Sequence, residues 1–300
     1  MTGPEVRIYE VGPRDGLQAE ATVVPTEAKL RFISMLADAG LREIEATSFV
    51  RPDAIPQLAD ADELMASVDR RVRVRYPVLV PNQRGLERAL AAEVDAICLM
   101  TAATDAYVRQ NIGMSIDESL TAFVPLVAEA RQRGWWIRAY VSTAFGCPYD
   151  GEVDARAVVS VAERLLRLGV DELSISDTVG VAAPIDVRRV LGALGEAGIG
   201  KDVIALHLHD TRGTALANVM AAMELGIRCF DASTGGTGGS PYAPGSAGNL
   251  ATEDLVYLLD REGVRSGVDL ERVLDAGRFI ASELGREVDS KVGRAGGWPR

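Results

Sequence analysis

The sequence predicts an α/β fold: a closed (β/α)8 TIM barrel with a C-terminal helical extension. Three observations predict it. Short apolar, β-rich runs alternate with longer stretches of helical period. A helix that follows one strand and precedes the next implies parallel strands with right-handed crossovers. A chain of 300 residues accommodates one barrel, which typically takes about 250. The alternative is an open doubly wound sheet. It is weaker because no G-x-G-x-x-G follows the first strand.

The eight strands are expected at 6–11, 43–47, 74–80, 96–101, 136–142, 172–176, 203–209 and 229–233. Each is a short run rich in apolar or β-branched residues. Helices are expected between most of them, at 26–39, 83–91, 115–133, 154–168, 184–197 and 214–225. Asp154 can cap the helix that ends before Gly169, and Gly40, Gly134, Gly198 and Gly226 stand where helices stop. Two further helices, 252–261 and 270–284, follow the eighth strand. No linker or repeat divides the chain. The reading is a single catalytic domain over 1–300, with the barrel at about 6–250 and C-terminal helices at about 251–285.

Composition excludes several function classes. The net charge is −11. Nucleic acid is therefore not an expected partner, since phosphate binding needs a basic face. No apolar run of 18 or more residues predicts a membrane span. The three cysteines, Cys98, Cys147 and Cys229, are too scattered for a disulfide framework. The first residues lack an export pattern, so a cytoplasmic location is expected.

Barrel chemistry collects at the C-terminal ends of the strands. The only two histidines lie there, in Leu206-His207-Leu208-His209-Asp210. Positions i and i+2 of a strand face the same way, so both imidazoles can share one divalent cation. The plainer alternative is two polar residues lining a core or loop. After the first strand comes Gly12-Pro13-Arg14-Asp15-Gly16-Leu17-Gln18. Its carboxylate could join the histidines, and its guanidinium could hold a carbonyl or carboxylate oxygen. A Pro/Gly turn carrying a surface ion pair is the alternative. The glycine-rich segment 233–242 after the eighth strand would allow close ligand approach or loop closure. Asn249 offers a neutral oxygen just before the next helix. Asp15, His207, His209 and Asn249 make a mixed oxygen and nitrogen set, which favours Mg²⁺ or Mn²⁺; zinc or cobalt remains compatible.

Several motifs carry a resemblance. Glu10-Val11-Gly12-Pro13-Arg14-Asp15-Gly16-Leu17-Gln18, Glu45-Ala46-Thr47-Ser48-Phe49-Val50, Gly146-Cys147-Pro148-Tyr149, Asp177-Thr178-Val179-Gly180 and the segment from Gly245 to Tyr257 are similar to those of the 3-hydroxy-3-methylglutaryl-CoA lyases. The match runs from about Val6 to about Arg294. Leu17 and Asp210 resemble this lyase branch; the related synthases carry Glu and Asn at the matching positions. The resemblance implies a metal-dependent retro-aldol cleavage of an acyl-CoA, with no organic cofactor beyond the substrate's thioester. It implies Asp15, His207, His209 and Asn249 as metal ligands, and Arg14 as the group that stabilises the enolate. Glu45, Arg138 and Thr178 would shape the substrate site or the layer behind it. Gln18 and Ser48 would also face substrate, and Lys291 would lie near the CoA phosphates. Asp15 or a histidine would be the base. A homodimer is expected by analogy.

The chain departs from this family at one important point. The lyases carry Gly-Gly-Cys-Pro-Tyr in a mobile loop, whereas Gly239-Ser240-Pro241-Tyr242 stands here. A thiol titrates at about 8.5, and a hydroxyl is far less acidic. Ser240 is therefore the expected acid position, altered in chemistry. Arg212 and Thr214 stand where lyases often have Tyr and Gln, and Ala21 and Thr22 where a basic residue is usual. A different 3-hydroxyacyl-CoA or 3-hydroxy acid is the alternative substrate.

Overall fold

A computed structural model describes residues 5–239 and 248–297. Among these, nine strand segments form one parallel sheet: β1 (Arg7–Glu10), β2 (Glu43–Ile44), β3 (Thr47–Ser48), β4 (Val78–Leu79), β5 (Ala96–Ala102), β6 (Trp136–Ser142), β7 (Glu172–Asp177), β8 (Ile204–Leu208) and β9 (Cys229–Ala232). The spatial order is β2-β1-β9-β8-β7-β6-β5-β4-β3. Its two ends, β2 and β3, are separated in sequence only by Glu45 and Ala46. Across that gap Glu45 N donates to Glu10 O and Ala46 N to Pro77 O, both at 2.9 Å. The second stave thus pairs with β1 on one side and β4 on the other, and the sheet closes into an α/β barrel.

Two expected strands differ in detail. The second, at 43–47, is divided because its early residues pair with β1 and its later ones with β4. The third, expected at 74–80, keeps a ladder only at Val78–Leu79, with an isolated bridge from Arg75 to Glu43. Pro77 has no N–H to donate, which interrupts the ladder between them.

The surrounding helices are α1 (Thr26–Asp38), α2 (Ala61–Ser67), α3 (Gln83–Ala91), α4 (Asp105–Ile112), α5 (Ile116–Gln132), α6 (Ala155–Leu168), α7 (Pro184–Glu196), α8 (Ala215–Glu224), α9 (Thr252–Arg261), α10 (Leu270–Leu284) and α11 (Lys291–Ala295). Helices α2, α4 and α11 add to those expected. Local chemistry sets the ends. Asp154 accepts from Arg156 N at 2.9 Å, and α6 stops at Gly169 with φ +103°. Ser115 and Glu118 form a reciprocal capping box that starts α5.

Strand alternation gives two cores. Tyr9, Val11, Leu79, Cys98, Tyr140, Ala205 and Cys229 face the barrel axis. Alternate residues such as Ile97, Leu99, Leu173 and Ile175 face the helices and join a larger apolar layer with Leu165, Val187 and Val219. The lower barrel interior is charged. Arg7 bridges Glu43 and Glu172, and Arg75 Nη1 lies 2.6 Å from Glu43 Oε1. The C-terminal helices close against the barrel's outer layer. Arg31 of α1 stacks 4.6 Å from the Phe279 ring of α10, and Arg272 donates to Asp38 O at 2.9 Å. No helix among the described residues is long and apolar enough to cross a membrane.

Candidate active site

His207 lies in β8 and His209 just past its end, on one face as their spacing requires. Their Nε2 atoms are 3.0 Å apart, and their ring centroids 5.1 Å apart. Both are buried. Asn249 lies across from His209 in an isolated antiparallel bridge. Leu250 N donates to Leu208 O at 2.9 Å, and Asp210 N to Gly248 O at 2.7 Å. Those backbone bonds bring the amide to the histidines.

Asp15 arrives from the turn after β1. Pro13 starts a tight turn over Gly12–Gly16, in which Gly16 N reaches Val11 O at 3.1 Å. Asp15 Oδ2 lies 4.0 Å from His207 Nε2 and accepts from Asn249 Nδ2 at 2.9 Å. One ligand atom each from Asp15, His207 and His209 lies within 4.8 Å of the others. Two glycines permit this closeness. A Cβ at Gly238, where φ is +93°, would come within 2.8 Å of Asn249 Nδ2. A Cβ at Gly180 would meet Thr211 and approach His209 Cβ at 3.2 Å.

Electrostatics suit this trio to a cation. Burial opposes ionisation of Asp15, but Arg14, both histidines and the Asn249 bond outweigh it and hold the carboxyl at about 2. Burial and then the nearby His207 depress His209 to about 3, against the pull of Asp15. Its imidazole is thus neutral and keeps a lone pair to donate. His209 Nδ1 and Asn249 Oδ1 are buried without a hydrogen-bond partner among the described residues. Buried polar atoms without a partner are costly unless something binds or bridges to them. A carboxylate, two imidazoles and an amide therefore fit a divalent cation. Asn249 turns its nitrogen to Asp15, so a half-turn of the amide would present its oxygen.

Arg14 lies beside the trio, 4 % exposed. Its Nε donates to Glu45 Oε1 at 2.6 Å and its Nη1 to Asp15 Oδ1 at 2.7 Å. The guanidinium carbon sits 5.3 Å from the Tyr140 ring centroid. Tyr140 in turn donates its hydroxyl to Glu45 Oε2. The arginine is thereby fixed in one orientation at the barrel mouth.

Other expected positions fall into several settings. Gln18 is half-buried, and its Oε1 has no partner among the described residues. Ser48 Oγ accepts from Val50 N at 3.3 Å, and Thr178 Oγ1 from Thr143 N at 2.9 Å. Arg138 is fully buried inside the barrel, beneath the histidines, with its charge turned to Asp231 and Glu172. Lys291 pairs with Asp210 and lies 3.9 Å from Asp254 Oδ2. Ser240 lies outside the described residues. The sequence reading assigned no role to Asp231 or Tyr140, though strand alternation puts Tyr140 on the inward face with Arg138. Glu10, Asp177 and Glu253 also hold the rim together. Glu10 accepts from Gly12 N, Thr234 N, Thr234 Oγ1 and Thr252 Oγ1. Asp177, pushed up to about 6 by burial, accepts from Val181 N and Ala182 N. Glu253 accepts from Gly235 N and Ser290 Oγ.

Comparison with known proteins decides the family. The HMGL-like family model matches residues 5–280. The chain belongs to the HMGL-like family. A chicken (Gallus gallus) relative, the mitochondrial hydroxymethylglutaryl-CoA lyase, is 44 % identical over 291 residues, 97 % of each chain. The crystal structure of the hydroxymethylglutaryl-CoA lyase from Pseudomonas aeruginosa superposes with a TM-score of 0.95, at 42 % identity over 98 % of each chain. An Acinetobacter baumannii HMG-CoA lyase in complex with coenzyme A and 3-methylmalate has a TM-score of 0.93 at 37 % identity, covering 99 % of this chain and 97 % of that one. In this HMGL-like chain the (β/α)8 fold and the family resemblance are both as the motifs implied.

Proposed function

We infer that this chain is a divalent-metal-dependent carbon–carbon lyase that cleaves 3-hydroxy-3-methylglutaryl-CoA to acetyl-CoA and acetoacetate. The observation that carries it is the convergence of Arg14, Asp15, His207, His209 and Asn249 at the mouth of an HMGL-like barrel. The names of its relatives supply the substrate.

Asp15, His207, His209 and Asn249 would hold the cation, with Mg²⁺ or Mn²⁺ favoured by the oxygen and nitrogen donors. When bound, such an ion polarises substrate oxygens and makes a hydroxyl easier to deprotonate. The chain's residues do the rest. A base takes the proton of the tertiary hydroxyl. The bond between the carbinol carbon and the carbon next to the thioester then breaks, leaving a ketone. The released electron pair moves onto the thioester enolate. Arg14 places its charge where that enolate oxygen forms, held by Glu45 and backed by Tyr140. An acid returns a proton to the enolate carbon, and Ser240 is our candidate donor. Of the two candidate bases, the low value of Asp15, about 2, makes the carboxylate a poor proton acceptor. His209, depressed to about 3, is a similarly weak acceptor, and both stay candidates for the base.

Gln18, Ser48 and Thr178 are proposed around the acyl group. Lys291 is proposed near the CoA phosphates, which requires it to leave Asp210. The three free thiols fit a reducing cytoplasm, and we propose one catalytic domain working as a homodimer. A panel of 3-hydroxyacyl-CoA thioesters with Mg²⁺ and Mn²⁺, read by acetyl-CoA release, tests the assignment. Greatest kcat/KM on the 3-hydroxy-3-methylglutaryl thioester supports it. Preference for a different acyl chain moves the substrate, and no cleavage of any thioester removes the activity.

A further inference from the structure

A fully enclosed charge lies one layer below the cation site. Arg138 stands on β6 with no exposed surface. Its Nη2 donates to Asp231 Oδ1 at 2.5 Å, and its Nη1 to Asp231 Oδ2 at 3.2 Å. Its Nε forms an ion pair at 2.9 Å with Glu172 Oε1. The guanidinium carbon sits 3.7 Å from the Tyr9 ring centroid. Lysine could not reproduce this forked, stacked arrangement.

Asp231 on β9 is equally committed. Besides Arg138, its Oδ2 accepts from Ser174 Oγ at 3.0 Å and faces His207 Nδ1 at 3.1 Å. A carboxylate in this position can only accept. Two guanidinium bonds and one hydroxyl bond leave room for one more donor, and His207 Nδ1 is the group that points there. An imidazole that donates from Nδ1 keeps its lone pair on Nε2. That atom faces upward, 3.0 Å from His209 Nε2 and 4.0 Å from Asp15 Oδ2.

We propose that Asp231 and Arg138 are positioning residues: Asp231 fixes His207 as the Nδ1–H tautomer with Nε2 turned to the cation, and Arg138 fixes Asp231. The inference rests on reading His207 as a cation ligand. It puts Arg138 in the layer behind the site and assigns a function to its charge. Carboxylates behind metal-bound histidines orient the ring and typically change metal affinity about 10–100-fold when removed.

The presence of only two histidines makes the test direct. Long-range ¹H–¹⁵N correlation spectra of the metal-free native chain resolve four ring nitrogens, and a His209→Gln variant assigns those of His207. We expect a protonated Nδ1 and an unprotonated Nε2 on His207. Protonation at Nε2 instead overturns the proposal without needing any variant at Asp231. In Asp231→Asn the amide can offer a donor to Nδ1, so the tautomer shifts toward Nε2–H. Mn²⁺ affinity, read by electron paramagnetic resonance titration, then falls about 10–100-fold. Ser174→Ala keeps the carboxylate and its tautomer, and so separates orientation from general loosening. Unchanged Mn²⁺ affinity in folded Asp231→Asn overturns the proposal while leaving the cation site intact. A native chain that binds no Mn²⁺ overturns the cation site and this inference together.

Discussion

Arg14→Lys keeps the positive charge and removes the shape. The native guanidinium serves two carboxylates at once, Glu45 at 2.6 Å and Asp15 at 2.7 Å, while lying over Tyr140. A lysine is a point charge on a flexible stem and cannot span both oxygens while still facing an enolate. Loss of one buried charge-assisted bond costs about 1.5–3 kcal/mol in stability. The kinetic effect should be larger than that of a neutral contact. Removing one donor from a developing oxyanion costs about 2.7–4 kcal/mol, or about 10²–10³ in kcat. The assay is acetyl-CoA release from 3-hydroxy-3-methylglutaryl-CoA under saturating Mn²⁺, with Mn²⁺ affinity measured in parallel. The expected result is a kcat lower by about 100–1000-fold with little change in Mn²⁺ affinity. A kcat within about threefold of the native value would show that Arg14 does not stabilise the transition state, since threefold is under 1 kcal/mol.

His209→Ala removes a neutral imidazole from the trio and should abolish both cleavage and tight Mn²⁺ binding; retained turnover would remove His209 from the site. Ser240→Cys restores a thiol of pKa about 8.5 and should raise kcat, by up to the 10²–10⁴-fold typical of positioned proton donors. No gain would show that proton return is not limited by that side chain. Burial lifts the Glu253 carboxyl from 4.5 to about 8. The folded chain therefore holds a proton that the unfolded chain loses above about 4.5. This contribution to stability is full below pH 4.5, declines across 4.5–8 and is gone above the folded value. Relative to Glu253→Gln, the native melting temperature should fall between pH 5 and pH 9. Parallel curves would mean that Glu253 is ionised throughout.

The sequence made the barrel and the histidine pair legible because both depend on short-range periodicity. Alternation put His207 and His209 on one face, and the strand-helix rhythm put that face at a barrel mouth. The second and third staves were less legible. Their boundaries depend on which neighbour each residue bonds and on Pro77, and these are tertiary facts. Arg138 shows a different limit. The resemblance placed it at the substrate site or in the layer behind it, and the register of β6 sets its guanidinium against Asp231, which faces His207. No local pattern marks Asp231 as the partner of a residue 93 positions away. The Glu45–Tyr140 bond was hidden for the same reason, since it joins strands 95 residues apart in sequence. Long-range polar contacts inside a barrel follow from register, which periodicity alone does not set.

The most direct test is to strip the purified chain of metal with a chelator and then follow 3-hydroxy-3-methylglutaryl-CoA with and without added Mg²⁺ or Mn²⁺. The account predicts no turnover in the stripped protein and equimolar acetyl-CoA and acetoacetate once the ion is returned. Equal turnover without any divalent ion, or none with it, would contradict the account.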